Sequence, residues 1–419
     1  MIPNLRHLEL VREVARLGGI GAAARSVHLS QPAVTQAVAS IERYFGATLF
    51  VRSTGGIAIT AAAEICLSRI ERALEQLHEG LIESRRGQGL PRVGARAGAR
   101  RLLHKITNAQ LMALIQFVEH GSFASAARAS NVAEATFHRT ARALERTLAV
   151  PLFERTSFGI RPTRAAQALS RKARLARNEI EQALSDIDAL RGRSSGRTII
   201  GAMPLARSYI VPVTLIDFAR DHPEHALSIM EGTYEHLIAA LRSGEADVLI
   251  GALRERHLAP DVHEEHLFDD VLSIVASADH PLKRRGKLQV ADLARFPWIA
   301  PRSTSPLHAH FDALFRDAGM EPPPQPVQCN SMVAARAFLL EGNYLMLAST
   351  HQIHYELEAG MLTALPHPRG RVVRSIGLTM RRNWQPTLAQ NHLLELLRSH
   401  ARGVGAGNRS RKVRALGGV

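Results

Sequence analysis

The sequence predicts a multidomain chain: two α-rich modules of the winged helix-turn-helix type, a long dimerisation helix, and a two-lobed α/β domain. Three observations carry this expectation. An alanine-rich helix, a turn, a second helix and a glycine-containing ribbon fill residues 18–60, and the same pattern returns after Gly121. After Thr163, apolar residues recur at spacings of three and four. Beyond Gly196, short apolar strands alternate with helical stretches.

The first module (residues 3–60) centres on LSQPAVTQAVASIERYFGATLF, residues 29–50. Ser30 is a good N-cap, and Pro32 falls in the first turn, where a missing N–H costs nothing. Val34, Val38, Ile41 and Phe45 form one apolar stripe. The opposite face carries Gln31, Thr35, Gln36 and Ser40, short polar groups able to bond base edges in a DNA major groove. Upstream, Ala22, Ala23 and Ala24 let a second helix approach closely before a tight turn. Downstream, LFVRSTGGIAIT reads as a two-stranded wing turning at Gly55-Gly56, with Arg52 placed to meet a phosphate. The expected DNA contacts in this module are Ser30, Gln31, Pro32, Thr35, Gln36 and Arg52.

The run GGIGAAARSVHLSQPAVTQAVASIER followed by FGATLFVR resembles the winged helix-turn-helix of LysR-type transcriptional regulators across the whole motif. The resemblance implies a DNA-binding regulator that dimerises through the helix after its wing and carries a C-terminal domain of periplasmic-binding-protein fold for a small effector.

Composition agrees with a polyanionic partner. Lys and Arg number 53 against 38 Asp and Glu, a formal charge of +15. Two cysteines, Cys66 and Cys329, exclude a disulfide framework and fit a reducing compartment. With no long apolar run and no signal-peptide pattern in MIPNLRHLEL, the expectation is a soluble cytoplasmic protein without a membrane partner. No phosphate loop, nucleophile elbow or metal-ligand spacing appears, so neither catalysis nor a cofactor nor a metal is expected.

Sliding the chain along itself by 103 residues, without a gap, brings identities together. Leu8, Gly18, Ala23, Ala24, Arg25, Glu42, Arg43, Leu49, Phe50, Arg52, Gly56, Ile57 and Thr60 meet Leu111, Gly121, Ala126, Ala127, Arg128, Glu145, Arg146, Leu152, Phe153, Arg155, Gly159, Ile160 and Thr163. A second module is therefore expected over 108–163, where a LysR-type regulator ordinarily has one. Its polar face differs: Glu134, Thr136, His138, Arg139 and Arg142, with Thr136, His138, Arg139 and the wing's Arg155 the expected DNA contacts. Copy one keeps the more standard base-reading helix, and copy two the more standard wing, LFERTSFGIRPT. The alternative is that copy two is only structural.

Residues 61–107 read as an amphipathic helix to about Ile82 that packs on the first wing domain, with Cys66 a small core residue, followed by a flexible basic tether. Arg85, Arg86, Arg92, Arg96, Arg100, Arg101 and Lys105 in that tether can meet phosphates or simply be solvated. Over 164–191, Leu169, Ala173, Ala176, Ile180, Ala183, Ile187 and Leu190 form an a/d seam. An intramolecular amphipathic helix would read alike, but its place after a wing resembles the family's linker helix, which implies a homodimer or tetramer built through it.

Residues 197–401 predict strands near 198–202, 226–231, 247–251, 271–276, 298–300, 327–329, 345–348 and 371–380, in two mostly parallel sheets around a cleft. The stretch GAMPLARSYIVPVTLIDFARDHPEHALSIMEGTYEHLIAALRSGEADVLIGALR is again similar to the LysR-type effector domain. Ligands bind open α/β sheets beyond the carboxyl ends of strands. That places Leu205, Ala206, Arg207, Ser208, Thr233, Ser303, Thr304, Ser331 and Thr350 as the expected effector contacts, Arg207 pairing a carboxylate. The resemblance points to an organic acid or a sugar, and to RNA polymerase as a further partner. Cys329, with no second cysteine nearby, reads as a core residue rather than a peroxide sensor, and 402–419 as a disordered basic tail.

Three functions fit the sequence: a LysR-type regulator, a ligand-independent architectural DNA binder using two modules per chain, and a solute-binding or enzymatic α/β protein with a degenerate N-terminus.

Overall fold

Asn4 caps the first helix, its side chain accepting from the Arg6 amide (3.0 Å), and Gly18 ends it in the left-handed region (φ 67°). In this computed structural model the described residues are 2–53, 56–86, 95–157, 159–254, 259–303, 305–324, 327–329 and 331–405. They form two units. The first comprises the chain up to Arg197 with the short segments Glu224–Ala226 and Arg242–Glu245, and the second comprises the rest.

In the first unit, α1 (Leu5–Leu17), α2 (Ile20–Ser26) and α3 (Gln31–Phe45) lead to the ribbon β1 (Phe50–Ser53) and β2 (Gly56–Ile59), then to the long α4 (Ala61–Ser84). The short α5 (Ala95–Leu103) follows. The first pattern then recurs as α6 (Asn108–His120), α7 (Phe123–Ala129), α8 (Glu134–Leu148), β3 (Phe153–Thr156), β4 (Gly159–Pro162) and the long α9 (Arg164–Leu190). One continuous core runs from Ile2 to Ile187.

The repeat extends to backbone detail. Left-handed residues fall at matching places: Gly18 and Gly121, His28 and Asn131, Gly46 and Ala149, Gly56 and Gly159. Glu42 Oε1 accepts from the Leu49 (2.8 Å) and Phe50 (3.3 Å) amides, pinning ribbon to helix, and Glu145 Oε1 does so with Leu152 (2.8 Å) and Phe153 (3.2 Å). Burial pushes the Glu145 carboxyl up, but Arg142 and those two amides hold it below its ordinary value.

Ala149, at φ 52°, stands where copy one has Gly46. A Cβ in the left-handed region costs about 1–2 kcal/mol, partly offset by the greater unfolded-state freedom of glycine. Ala149→Gly is therefore expected to stabilise the first unit by about 0.5–1 kcal/mol in urea unfolding. An unchanged or lower midpoint would contradict this reading of the cap.

Three expectations for this unit need correction. The basic tether is not structureless throughout: α5 buries Ala99 and Leu103, and its cations pair with carboxylates, Arg96 with Glu75 (2.6 Å) and Arg100 with Glu13 (3.6 Å). The remainder of the tether, 87–94, lies outside the described residues, as does Gly55 of the first wing turn. Leu190 is not in the seam, being 52% exposed. Above all, the a/d seam of α9 is not left for a second copy. Its residues Leu169 to Ile187 are buried, and they are covered by α4 of the same chain. The cause lies in the sequence of α4, which carries a matching stripe: Ala63, Cys66, Ile70, Ala73 and Leu77. Burial pushes the Cys66 thiol up to about 12, so it is an inert core residue.

The second unit is built on one sheet of nine strands among the described residues: β5 (Arg197–Ala202), β6 (Ala226–Met230), β7 (Val248–Ala252), β8 (Val262–Ser277), β9 (Trp298–Ala300), β10 (Val327–Gln328), β11 (Leu345–Ser349), β12 (Leu362–Leu365) and β13 (Val372–Arg381). Its order is β10-β9-β11-β8-β13-β7-β5-β6, with β12 also on β8. The helices are α10 (Pro204–Arg207), α11 (Ile210–Asp221), α12 (Tyr234–Ser243), α13 (Val290–Leu293), α14 (Pro306–Arg316), α15 (Met332–Glu341), α16 (His354–Glu358) and α17 (Leu388–Gly405).

The two-lobed expectation holds in the cores. One lobe buries Ile200, Val211, Phe218, Ile250 and Leu397, and the other Leu272, Trp298, Phe311 and Phe315. The expectation of two separate, mostly parallel sheets does not hold. The returning β13 pairs antiparallel with β8 from Val262 to Leu272, and these long strands join both lobes into one sheet. β5–β7 and β9–β11 are parallel, as expected. Cys329 lies just past β10, half-buried, with its thiol donating to the Ser331 carbonyl (3.3 Å), so it is not a fully buried core residue. Of the tail read as disordered, residues 402–405 continue α17, and 406–419 lie outside the described residues.

Candidate nucleic-acid interface and effector site

Helix α3 sorts its residues by face. Val34, Ala37, Val38, Ile41 and Phe45 are buried, while Gln31, Pro32, Thr35 and Gln36 are exposed. Ser30 caps it, accepting from the Ala33 amide (3.4 Å). Thr35 donates back to the Gln31 carbonyl (3.0 Å), leaving its oxygen free to accept. A Cβ on Gly21 would lie 3.0 Å from the Gln31 side-chain nitrogen Nε2, so the Gln31 side chain lies close over the preceding helix. Arg52 is exposed on β1, opposite Ile57.

The second copy presents a different face. Phe137, Ala141, Leu144 and Leu148 are buried, and Thr136, His138 and Arg139 are exposed with Arg155 on β3. His138 packs its ring edge-on to Phe123 (4.7 Å), and Arg139 donates to Thr136 Oγ1 (3.4 Å). Arg142 is withdrawn from the polar face: it pairs with Glu145 (2.6 Å) and lies over the Phe153 ring (5.2 Å). Ala133 leaves α8 without the side-chain cap that Ser30 gives α3.

In the second unit the expected effector residues are distributed around strand ends. Leu205 and Ala206 are buried in α10, in the core of the first lobe. Arg207 pairs with the exposed Glu231. Ser208 and Thr350 are half-buried, and Thr233 and Ser303 exposed. The Thr233 hydroxyl accepts from the His236 amide (3.2 Å), and Ser331 caps α15 by accepting from the Ala334 amide (3.4 Å). Both therefore also serve as ordinary caps. Thr304 lies outside the described residues.

Residues the sequence did not single out bring the lobes together. Tyr209, at the start of α11, places its ring 4.1 Å from His354 and 6.2 Å from Tyr355 of α16. The fully buried Asp270 of β8 sits in register with Arg374 of β13. It accepts from Arg374 Nε (2.9 Å) and from the Ser349 hydroxyl of β11. Burial lowers the affinity of the nearby His351 for a proton, against the pull of Asp270. Local sequence gave little signal for it, since β8 also carries Glu264, Glu265 and Asp269.

A basic chain whose helix-turn-helix face is exposed, joined to a two-lobed α/β unit, defines a DNA-binding regulator with a separate sensory domain. A family model described as "LysR substrate binding domain" matches residues 191–402. A second, "Bacterial regulatory helix-turn-helix protein, lysR family", matches residues 5–64 and again 109–167. The HTH-type transcriptional regulator GalR of Pseudomonas putida is 30% identical over 382 residues, 91% of this chain and 93% of its own. PcaQ of Agrobacterium fabrum is 25% identical over 70% of this chain and 94% of its own. A full-length OxyR variant from Pseudomonas aeruginosa shares the fold, with a TM-score of 0.54 at 20% identity over 73% of this chain and 99% of its own. The chain belongs to the LysR family of transcriptional regulators. It is a DNA-binding regulator with a substrate-binding domain, not an enzyme. Among the described residues no helix is long and apolar enough to cross a membrane, and no cluster of potential metal ligands occurs.

Proposed function

We propose that both N-terminal copies are winged helix-turn-helix modules that bind double-stranded DNA in the cytoplasm, and that the second unit binds a small organic acid or sugar that alters transcription through RNA polymerase. The observation that carries the reading is the sorting of α3, with Gln31, Thr35 and Gln36 exposed along a helix whose other face is wholly buried. Gln31 and Gln36 supply base-edge hydrogen bonds, Thr35 an acceptor, and Ser30 and Pro32 the helix start that faces the duplex. Arg52 and Arg155 meet phosphates, and Thr136, His138 and Arg139 read from the second copy. Homo-oligomers form through surfaces other than the α9 seam.

Direct readout and phosphate contact separate experimentally. Gln31→Ala is expected to relax preference at one base pair by about 1–3 kcal/mol, with binding to random DNA unchanged. Arg52→Ala should weaken all sequences alike and reduce the salt slope by about one. Binding isotherms on selected and scrambled duplexes check both, and equal effects of the two variants on both duplexes would remove the assignment.

For the effector, Leu205, Ala206, Arg207, Ser208, Thr233, Ser303, Thr304, Ser331 and Thr350 form the proposed lining. Thermal shift of the full chain against a panel of carboxylic acids and sugars should find a compound that stabilises it, with the shift lost in Ser208→Ala and Thr350→Ala. The packing of Tyr209 on His354 and the pairing of Arg207 with Glu231 favour the second reading, a ligand-independent architectural binder. A panel in which nothing shifts the transition would turn the choice to it.

A further inference from the structure

The contacts between α4 and α9 obey a two-fold relation. Under the repeat, Arg69 corresponds to Lys172, Gln76 to Glu179 and Glu79 to Gln182. Arg69 donates to Glu179 (3.0 Å) and to Gln182 (2.8 Å). Lys172 donates to Gln76 (3.1 Å) and to Glu79. Exchanging the two copies therefore turns one pair of bonds into the other. The buried stripes exchange in the same way: Ala63 with Ala166, Cys66 with Leu169, Ile70 with Ala173, Ala73 with Ala176, Leu77 with Ile180, Gly80 with Ala183 and Ser84 with Ile187. The helices run antiparallel, since Arg69 also meets Asp186 (2.8 Å) while Glu83 meets Arg171 (2.6 Å). At Gly80 they approach so closely that a Cβ would stand 2.7 Å from that of Lys172. The end of α9 also reaches the other copy's reader, Arg191 donating to the Gly46 carbonyl at the end of α3.

We propose that residues up to Arg197 form a two-fold pair within one chain, which presents α3 and α8 to two half-sites of a single DNA duplex. A two-fold relation between the supporting helices relates the readers they carry, so the half-sites lie inverted and a whole number of helical turns apart. Because the faces differ, the half-sites differ. Gln31, Thr35 and Gln36 are replaced by Glu134, His138 and Arg139. Glutamine suits adenine and arginine suits guanine. One chain thus reads a non-palindromic site in a fixed orientation, which an ordinary homodimer of identical readers does not do. The inference rests on both copies binding DNA.

Two measurements on the full chain test it. The first takes an equal mixture of 14N and 15N chains, unfolded and refolded together, and joins Lys172 to Glu79 with a carbodiimide. Mass spectrometry is expected to find cross-linked peptides of a single isotope. Mixed-isotope peptides would show that the seam joins two chains, and would overturn the intrachain pair. The second selects bound sequences from random DNA with the wild type and with the triple variant Gln31→Glu, Thr35→His, Gln36→Arg. All three positions are exposed, so the change falls on the reading face. The wild type is expected to select two unlike halves, and the variant an inverted repeat of the second half. A wild-type site with one half, or with two equal halves, would overturn the proposal while leaving DNA binding intact. Failure to enrich any sequence, with single-isotope cross-links, would instead remove the DNA reading on which it rests.

Discussion

Arg69→Ala is expected to destabilise the first unit by about 3–5 kcal/mol, the range for breaking a buried ion pair from one side. The Arg69 side chain is 5% exposed and holds Glu179, Gln182 and Asp186 at once, by 3.0, 2.8 and 2.8 Å bonds. Without it Asp186 loses its charge partner on α4, whereas Glu179 keeps Arg72 (2.9 Å). Arg69→Lys should recover much of the loss, since Lys172 fills the equivalent position in the other copy. Urea unfolding of the full chain reads this as a lowered first-unit transition, and a change below 1 kcal/mol for Arg69→Ala would contradict a structural role. The same variant should lower affinity for DNA without altering which sequence is selected, because Arg69 lies on α4 and not on a reading face.

Asp270→Ala should have a comparable effect, about 3–5 kcal/mol, but on the second unit alone. Asp270 is fully buried where β8, β11 and β13 meet, and its loss leaves Arg374, 14% exposed, without its carboxylate. Asp270→Asn keeps an acceptor for Ser349 and removes only the charge, so it separates hydrogen bonding from ion pairing. The two alanine variants should lower different unfolding transitions. A shift of the first-unit transition by Asp270→Ala would show that the units do not unfold as the core division implies.

Much of this molecule was legible in its sequence. The α3 stripe, the capping Ser30, the repeat and most strands of the second unit follow from period and turn chemistry, and Trp298–Ala300 falls where the apolar run placed it. That α9 pairs with α4 of the same chain was not legible, for a physical reason. A heptad seam specifies that a partner exists, not which chain or which helix supplies it. Helix α5 was obscured by Arg96, Gly98, Arg100 and Arg101 around two buried apolar positions. The Asp270–Arg374 pair depends on strand register across about a hundred residues, which local periodicity does not carry. The ring contact of Tyr209 with His354 is equally non-local.

The most direct test of the central claim is the affinity of the full chain for its selected duplex and for a scrambled one, across a range of salt concentrations. Specific binding should exceed non-specific binding by about a thousandfold or more, and both should weaken as salt rises, in proportion to the phosphates contacted. Equal affinity for the two duplexes, or binding indifferent to salt, would contradict a sequence-reading regulator.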